Sequence, residues 1–206
     1  MRNSPKIKII LINGAPGSGK DTLASLMKPA MDSILTEDMD VHILPMKLSL
    51  VDQVQKYFNI PKEVWDKRYE PYKETSWDLL YGMSPRQALI WMSEEVTKPK
   101  FGADFYGKEH CNFIKKCTQK DSIILIPDSG FVEEVFHLCE SFGKDNCVMV
   151  NVYREGTDFS KDSRYLITGE MVDIKGYDVR NNRTVEDLKK KVNTICEIIL
   201  EDLNVV

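Results

Sequence analysis

A glycine-rich loop between a short apolar strand and a helix is the feature that most constrains the fold of this chain. Residues 6–12, KIKIILI, are rich in β-branched side chains and predict a buried strand. The loop GAPGSGK follows at residues 14–20, and apolar side chains then recur at helical spacing over residues 20–31. Glycines allow several backbone N–H groups to approach one anion, and a helix N-terminus favours negative charge. The segment therefore predicts a phosphate-binding loop for ATP or GTP.

The residues expected to bind the nucleotide belong to this loop and to the first helical turn. Lys20 would reach the outer phosphates. The residue after that lysine is usually Ser or Thr, whose hydroxyl binds Mg²⁺, but here it is Asp21. The Asp21 carboxylate either binds the metal, directly or through water, or only favours the positive end of the helix. The predicted nucleotide-binding set consists of Gly14, Ala15, Gly17, Ser18, Gly19, Lys20, Asp21 and Thr22, with Thr22 nearer to phosphate than to metal.

Strands and helices alternate along the rest of the chain. Further strands are predicted at residues 41–46, 122–127 and 147–153, with a weaker one within 171–179. Helices are predicted at residues 48–58, 84–98, 104–117, 131–142 and 184–200, whereas residues 59–83 are expected to be irregular. This alternation predicts a single α/β domain over residues 1–206, a P-loop three-layer sandwich with a mainly five-stranded parallel sheet and helices on both faces. A ligand would bind beyond the carboxyl ends of the strands.

The helix predicted from residue 84 begins with a strong N-terminal signal. Ser84 suits the cap, Pro85 suits the first helical position, and Gln87 completes a capping box. Arg86 would then carry a bidentate donor beside backbone N–H groups that already favour anions. It is either a ligand for an anionic substrate or a surface arginine in solvent, and the spacing alone does not separate the two.

An acidic residue follows the third predicted strand. Asp128 comes directly after the apolar run IILIP, at the end of the strand where P-loop enzymes place a second carboxylate that organises magnesium. We therefore expect Asp128, together with Asp21, to form the metal site. The alternative is that Asp128 only caps the helix that follows it.

Residues 154–170 form a polar stretch with little apolar periodicity. It contains Arg154, Lys161 and Arg164. Phosphoryl transfer spreads negative charge over equatorial oxygens, and mobile arginines that close over them are useful. The stretch therefore predicts a lid that delivers one or both of Arg154 and Arg164 to the transferring group. The alternative is that these arginines are exposed and pair with Asp158 or Asp162.

Charge and hydropathy argue against several classes of partner. The 206 residues carry a net charge of −4, which is unfavourable for binding a nucleic-acid polymer along its backbone. No stretch approaches the roughly 20 apolar residues of a membrane span, and residues 1–6 lack the features of a signal peptide. The five cysteines show no zinc spacing and are expected to be free thiols. These observations predict a cytoplasmic protein with a small ligand and leave a homodimer open.

Five segments, in this order, carry a resemblance to a known family. They are GAPGSGKDTLA, SPRQALIWMSEEV, FGADFYGKE, IPDSGFVEEV and NNRTVEDLKKKV. Together they resemble the bacteriophage deoxynucleoside monophosphate kinases, which belong to the adenylate-kinase-like P-loop kinases. The resemblance implies transfer of phosphate from ATP, with Mg²⁺, to a deoxynucleoside monophosphate in a host cytoplasm. It also implies a helical acceptor-binding region at about residues 47–118 and a lid at about 154–170.

The resemblance further implies roles for single residues. Lys20 would bind the ATP phosphates, Asp128 would lie in the metal or substrate region, and Arg86 would bind the acceptor phosphate. Arg154 and Arg164 would belong to the lid, and Asn181 and Asn182 would lie near the adenine of ATP. The predicted catalytic set is therefore Lys20, Arg86, Asp128, Arg154 and Arg164.

Two departures from the family pattern concern the acceptor side. The family often has an arginine soon after the residue that matches Asp128, where this chain has Ser129 and Gly130. It often has Gly-Thr-Glu where this chain has Ser-Glu-Glu at residues 93–95. Two alternatives therefore stay open. The chain could be a P-loop kinase for another small phosphorylated acceptor, such as phosphomevalonate or dephospho-coenzyme A, or a nucleotide-binding regulator without catalysis.

Overall fold

A parallel sheet forms the centre of the molecule. The computed structural model describes residues 5–160 and 162–206, so Lys161 and the predictions on residues 1–4 lie outside the described part. Within it, five parallel strands lie in the order β2-β3-β1-β4-β5. Their bounds are Ile7–Asn13 for β1, Met39–Ile43 for β2, Asp121–Ile126 for β3, Cys147–Tyr153 for β4 and Lys175–Arg180 for β5. The predicted α/β fold is confirmed.

The central strands are apolar on both faces because helices cover the sheet on both sides. In β1, the four residues from Ile9 to Ile12 are fully buried. Ile10 lies opposite Leu125 of β3 and Val148 of β4 in the parallel register. Near-continuous apolar runs of this kind are what a doubly covered parallel sheet requires. The carboxyl ends of β1, β3 and β4 consequently meet at one edge.

Two helical layers cover the sheet. Helices α1 (Lys20–Asp32) and α9 (Val185–Asp202) pack on the core of one face. On the other face lie α6 (Phe105–Cys117) and α7 (Val132–Phe142). The first residue of α9, Val185, is 55% exposed, and the buried face of this helix starts at Leu188.

The segment that connects β2 to β3 in sequence forms a helical region with its own small core. It contains α2 (Lys47–Tyr57), α3 (Lys62–Tyr72) and α4 (Pro85–Trp91), then a π-helical stretch at Met92–Thr97 and α5 (Lys98–Phe101). Val54, Trp65 and Leu80 are at the centre of this core. The prediction that residues 59–83 are irregular is therefore wrong over α3. Trp65 is the one almost fully buried apolar side chain within α3, so the described part of this helix lacks the apolar stripe that would have revealed it.

Several predicted boundaries shift, although the elements exist. Strand β2 ends at Ile43 rather than at residue 46, and β5 starts at Lys175. Pro29 does not end α1, which continues to Asp32. A short helix, α8 (Gly169–Val172), occupies the end of the polar stretch at 154–170. The capping box is formed as predicted, because Ser84 Oγ accepts from the Gln87 N–H and Gln87 Oε1 accepts from the Ser84 N–H.

Candidate active site

The glycine-rich loop fits closely against the end of β4. A Cβ atom added to Gly14 would lie 2.4 Å from the Val152 carbonyl oxygen. Gly19 has a φ of +99°, and a Cβ there would lie 2.4 Å from Asn181 Nδ2. Asn181 in turn donates to the Ser18 carbonyl at 2.9 Å. Both glycines are therefore required for the loop to curl as it does.

Lys20 lies inside this loop. Its Nζ donates to the carbonyl oxygens of Gly14 at 2.7 Å and Ala15 at 2.9 Å, and the residue is 9% exposed. The pKa of Lys20 is lowered to about 8, first by burial and then by the nearby Arg164 guanidinium, against the opposing effect of neighbouring carboxylates such as Asp21. An anion in the loop would replace these carbonyl contacts and raise the pKa of Lys20 again.

Two observations indicate that the loop is compatible with the phosphates of ATP. Ser18 Oγ is buried and, within the described part of the chain, has no hydrogen-bond partner. An unpaired buried hydroxyl is unfavourable, and a phosphate oxygen would satisfy it. The close backbone approach at Gly14 also leaves no room for a side chain in the curl of the loop. Asp21 and Thr22 are exposed at the start of α1.

A cavity of about 240 Å³ joins this loop to the helical region. Residues from several separate segments line it, including four of the five predicted catalytic residues. The catalytic residues in the lining are Lys20, Arg86, Asp128 and Arg164, and Asp21 and Asp162 line the cavity beside them. The cavity therefore brings together the phosphate-binding loop, the end of β3 and the start of α4, as a site at the carboxyl ends of parallel strands requires.

Asp128 holds the start of α2. Its Oδ1 accepts from the Met46 N–H at 2.7 Å and its Oδ2 from the Lys47 N–H at 3.0 Å. The helix it caps is therefore α2, not the helix that follows it in sequence. Its place in the cavity wall is compatible with the predicted metal role, which stays a prediction.

Mg²⁺ needs few ligands from the protein in such a site. It is commonly held by one or two carboxylates together with phosphate oxygens and water. In the described ranges, no group of three or more His, Cys, Asp or Glu side chains is positioned to hold a metal. Asp21 and Asp128 both line the cavity. These two carboxylates thus fit a magnesium site that nucleotide phosphates and water would complete.

Asp162 connects two of the predicted catalytic arginines. It accepts a bidentate pair from Arg164, at 2.8 Å from Nε and 2.6 Å from NH2, and lies 4.0 Å from Arg86 NH1. Burial opposes ionisation of Asp162, but the bonds from Arg164 and the charge of Arg86 hold its pKa below the usual range. The pairing alternative for Arg164 is thus observed, yet this pair is inside the cavity wall rather than in solvent.

Arg86 is only partly solvated. Its side chain is 35% exposed, and its Nε lies 2.5 Å from Glu74 Oε1. Two carboxylates, from Glu74 and Asp162, therefore hold a guanidinium that lines the cavity. An acceptor phosphate could exchange for either one. Arg86 is therefore an ion-paired and only partly exposed arginine, and its role as a ligand for an anionic substrate stays a prediction.

Arg154 lies apart from the other predicted catalytic residues. Its NH1 is 3.5 Å from the Gly17 carbonyl, on the outer side of the loop. It lines a separate groove with Asn182, Gly14 and Ala15. Asn182 exchanges two hydrogen bonds with Glu155, at 2.9 and 2.6 Å. This groove is where the resemblance implies the ATP adenine, and Arg154 is not positioned beside Arg164.

The second half of the predicted lid is anchored in the core. Ile167 is fully buried, and its N–H donates to Asn13 Oδ1 at 3.2 Å. Asn13 Nδ2 donates to the carbonyls of Ser129 and Tyr165 at 2.7 and 3.1 Å. Residues 164–170 are therefore held to the core by Ile167 and by the contacts of Asn13, despite the little apolar periodicity of the stretch. The lid stays a prediction, confined to the part before Asp162.

Gly130 makes room for Arg164. A Cβ at Gly130 would lie 2.4 Å from Arg164 Cδ and 2.6 Å from its Cγ. The position after Asp128 and Ser129, where the resembled family often has an arginine, is thus filled by the stem of an arginine from another segment. The short side chains there are the signal that sequence reasoning left unexplained.

An acidic wall forms another part of the same cavity, which we define as Glu94 and Glu134. Lys98 Nζ lies 3.0 Å from Glu94 Oε1 and 3.5 Å from Glu134 Oε1. Burial raises the pKa of Glu134 to about 7, although the Lys98 ammonium opposes the rise. Sequence reasoning did not predict the acidic wall, because its members come from two helices that are distant in the chain.

No helix in the described ranges is long and apolar enough to cross a membrane.

Comparisons with known proteins give only distant structural likenesses. No family model matches the chain, and no curated protein matches its sequence. An APS kinase CysC Cys556Ala mutant from Mycobacterium tuberculosis matches with a TM-score of 0.48 and 12% identity over 94% of this chain and 99% of that one. A gluconokinase from Sinorhizobium meliloti 1021 matches with a TM-score of 0.45 and 11% identity over 98% of each chain. A thymidylate kinase from Ehrlichia chaffeensis matches with a TM-score of 0.40 and 12% identity over 93% of this chain and 99% of that one.

Proposed function

We propose that this protein transfers a phosphoryl group from ATP to a (deoxy)nucleoside monophosphate, giving ADP and the nucleoside diphosphate. The observation that carries the proposal is the single cavity that contains both the phosphate-binding lysine and a pair of arginines. Lys20 lines it on the donor side, and Arg86 and Arg164 line it on the acceptor side. Two phosphate-binding centres in one cavity are what phosphoryl transfer between two phosphates requires.

The cationic and anionic side chains of the cavity have different roles in this proposal. The loop N–H groups and Lys20 hold the donor phosphates, and Ser18 Oγ supplies a further contact. Asp21 and Asp128 would hold Mg²⁺, which when bound neutralises charge on the β- and γ-phosphates. Arg86 and Arg164 exchange their carboxylate partners for the acceptor phosphate and align it for attack. That phosphate is already ionised, so no strong general base is needed.

The acidic wall favours a nucleotide over a carboxylated acceptor. Phosphomevalonate carries a carboxylate, which Glu94 and Glu134 would repel if its phosphate were on the arginines. A nucleobase instead offers neutral N–H donors to the same wall. Dephospho-coenzyme A and a purely regulatory role are the remaining alternatives, because neither conflicts with the charge of the cavity.

The decisive measurement is ADP release with ATP and Mg²⁺ across all common ribo- and deoxyribonucleoside monophosphates, with phosphomevalonate and dephospho-coenzyme A included. We expect turnover with at least one monophosphate and none with the last two. Turnover only with dephospho-coenzyme A would identify that kinase instead. Tight ATP binding without turnover on any acceptor would identify a regulator.

A cytoplasmic location, in a host cell if the chain is phage-encoded, belongs to the same proposal.

A further inference from the structure

The acidic wall is rich in hydrogen-bond acceptors. Glu134 is 5% exposed, and both Glu134 and Glu94 line the cavity. The contacts that these carboxylates make with Lys98 run through Oε1 in each case. Each carboxylate has a second oxygen, Oε2, and a carboxylate can accept two parallel N–H bonds at once.

The donors around the wall are already engaged. Lys98 lies between the two carboxylates, with its Nζ 3.3 Å from the centre of the Phe131 ring, and its side chain is only 10% exposed. Ser93 Oγ donates to Glu94 Oε1 at 2.9 Å. Tyr106 OH donates to Gln53 Oε1 at 2.9 Å. A ligand at this wall therefore meets acceptors and finds few donors to bind.

The net charge of the acidic wall also favours a ligand that presents hydrogen-bond donors. Two carboxylates share one ammonium, so the wall is net negative when both are ionised. Asp128, which also acts on Lys20, adds a further negative charge that influences Glu134. A ligand edge that presents carbonyls or unprotonated ring nitrogens would be repelled, whereas an edge with adjacent N–H groups would be attracted.

The common bases differ in the hydrogen-bond donors and acceptors that their edges present. Guanine presents N1–H beside the N2 amino group, two donors that lie parallel and match one carboxylate. Thymine presents one N–H between two carbonyls. Adenine and cytosine each place an amino group beside an unprotonated ring nitrogen, which a carboxylate repels. Only the guanine edge satisfies both oxygens of a carboxylate.

We propose that the acceptor is a guanine nucleotide, GMP or dGMP, whose N1–H and N2 amino group bind the carboxylate of Glu134, with Glu94 reinforcing the negative wall. This rests on the proposed function, since it places the acceptor phosphate at Arg86 and Arg164 and its base at the acidic wall. Within that function, Glu134 is the residue that determines base specificity.

The first test is equilibrium binding of five ligands to the full chain: dGMP, dIMP, dTMP, dAMP and dCMP. We expect dGMP to bind at least ~10-fold more tightly than each of the others, because a hydrogen bond to a charged group contributes that much or more. The comparison with dIMP is the sharpest, since dIMP differs from dGMP only by the missing 2-amino group. Equal binding of dIMP and dGMP, or tighter binding of any other base, would overturn the proposal.

The second test uses variants with a matched control. Glu134→Gln should remove most of the dGMP preference and leave the Kd for ATP unchanged. Glu133→Gln, at the exposed neighbouring position of α7, should change neither. If Glu134→Gln does not fold, Glu94→Gln at the more exposed member of the wall should still reduce the preference. A preference retained in the folded Glu134→Gln variant would contradict the assignment.

The two proposals fail in different ways. If dGMP binds selectively but ATP and Mg²⁺ transfer no phosphate to any monophosphate, the kinase proposal is wrong and the guanine site stands. If another monophosphate is phosphorylated and dGMP is not preferred, the guanine site is wrong and the kinase proposal stands.

Discussion

At the scale of the residue, the cavity depends on a few charged side chains held by neighbours that a ligand can replace. Lys20 is the clearest case, because its ammonium donates to the loop carbonyls of Gly14 and Ala15, which a phosphate can replace. We expect Lys20→Ala to fold but to lose at least ~100-fold in turnover, since a preorganised charge on a transferring phosphate contributes that much. Lys28→Ala, farther along the same helix and paired with Asp32, is the control. If the folded Lys20→Ala variant has the same turnover as the unmodified protein, this loop is not the ATP site.

Asp128 and Asp21 can be separated by their metal dependence. Asp128→Asn should lower turnover and raise the Mg²⁺ concentration needed for half-maximal rate. Asp21→Asn should do the same if Asp21 is a metal ligand, and otherwise should cost about 0.3–1 kcal/mol of stability without changing the Mg²⁺ profile. Because Asp128 also caps α2, its variant needs a folding check by thermal denaturation. An unchanged Mg²⁺ profile in both folded variants would show that the metal site is elsewhere.

Gly130 provides a test of Arg164 that leaves its charge intact. Gly130→Ala places a Cβ within 2.8 Å of three atoms of the Arg164 stem, so the guanidinium must move. We expect a loss of kcat comparable to that of Arg164→Ala, with ATP affinity little changed. Gly176→Ala is a suitable control, because the nearest atom to its Cβ is 3.5 Å away. Full activity of Gly130→Ala would mean that the position of Arg164 is unimportant for transfer.

At the scale of the element, the structure divides the predicted lid into two parts. Tyr165 and Ile167 are tied to Asn13, whereas residues 154–156 are exposed. We expect hydrogen exchange over residues 155–160 to be fast in the free protein and to slow when ATP and an acceptor are both bound. The amide of Ile167 should be protected with or without ligands, which provides an internal reference. Slow exchange at 155–160 without ligands would show that this part is rigid and that no lid closes.

The elements that could be predicted from sequence are those whose signals are local. The loop between β1 and α1, and the capping box at Ser84, depend on residues within a few positions of one another and were predicted correctly. The role of Asn13 depends on Ile167, which is 154 residues away, and therefore leaves no trace in a local pattern. The same holds for Arg164 at Gly130 and for Glu134 beside Lys98. Helix α3 was missed because its burial falls mainly on Trp65 rather than on a stripe.

At the scale of the whole molecule, one buried carboxyl links ligand chemistry to global stability. Glu134 faces Lys98 and Glu94 from the helical region, Asp128 from the end of β3, and Tyr106 from α6. Its pKa of about 7 in the folded protein lies above the value of 4.5 for an ordinary glutamate, because burial disfavours the ion. Between these two pH values the folded state binds more protons than the unfolded state, so the contribution of Glu134 to stability falls as pH rises.

We therefore expect the free energy of unfolding of the unmodified protein, relative to that of Glu134→Gln, to decrease by roughly 3 kcal/mol between about pH 4.5 and pH 7.5. Comparing the two proteins by urea denaturation at each pH cancels the other titrating groups, and Glu133→Gln should show no such difference. Saturating dGMP should reduce the loss above pH 7, because its N–H donors stabilise the carboxylate that burial penalises. A pH-independent difference between the two proteins would mean that Glu134 titrates like an exposed carboxyl and that the acidic wall is hydrated rather than buried.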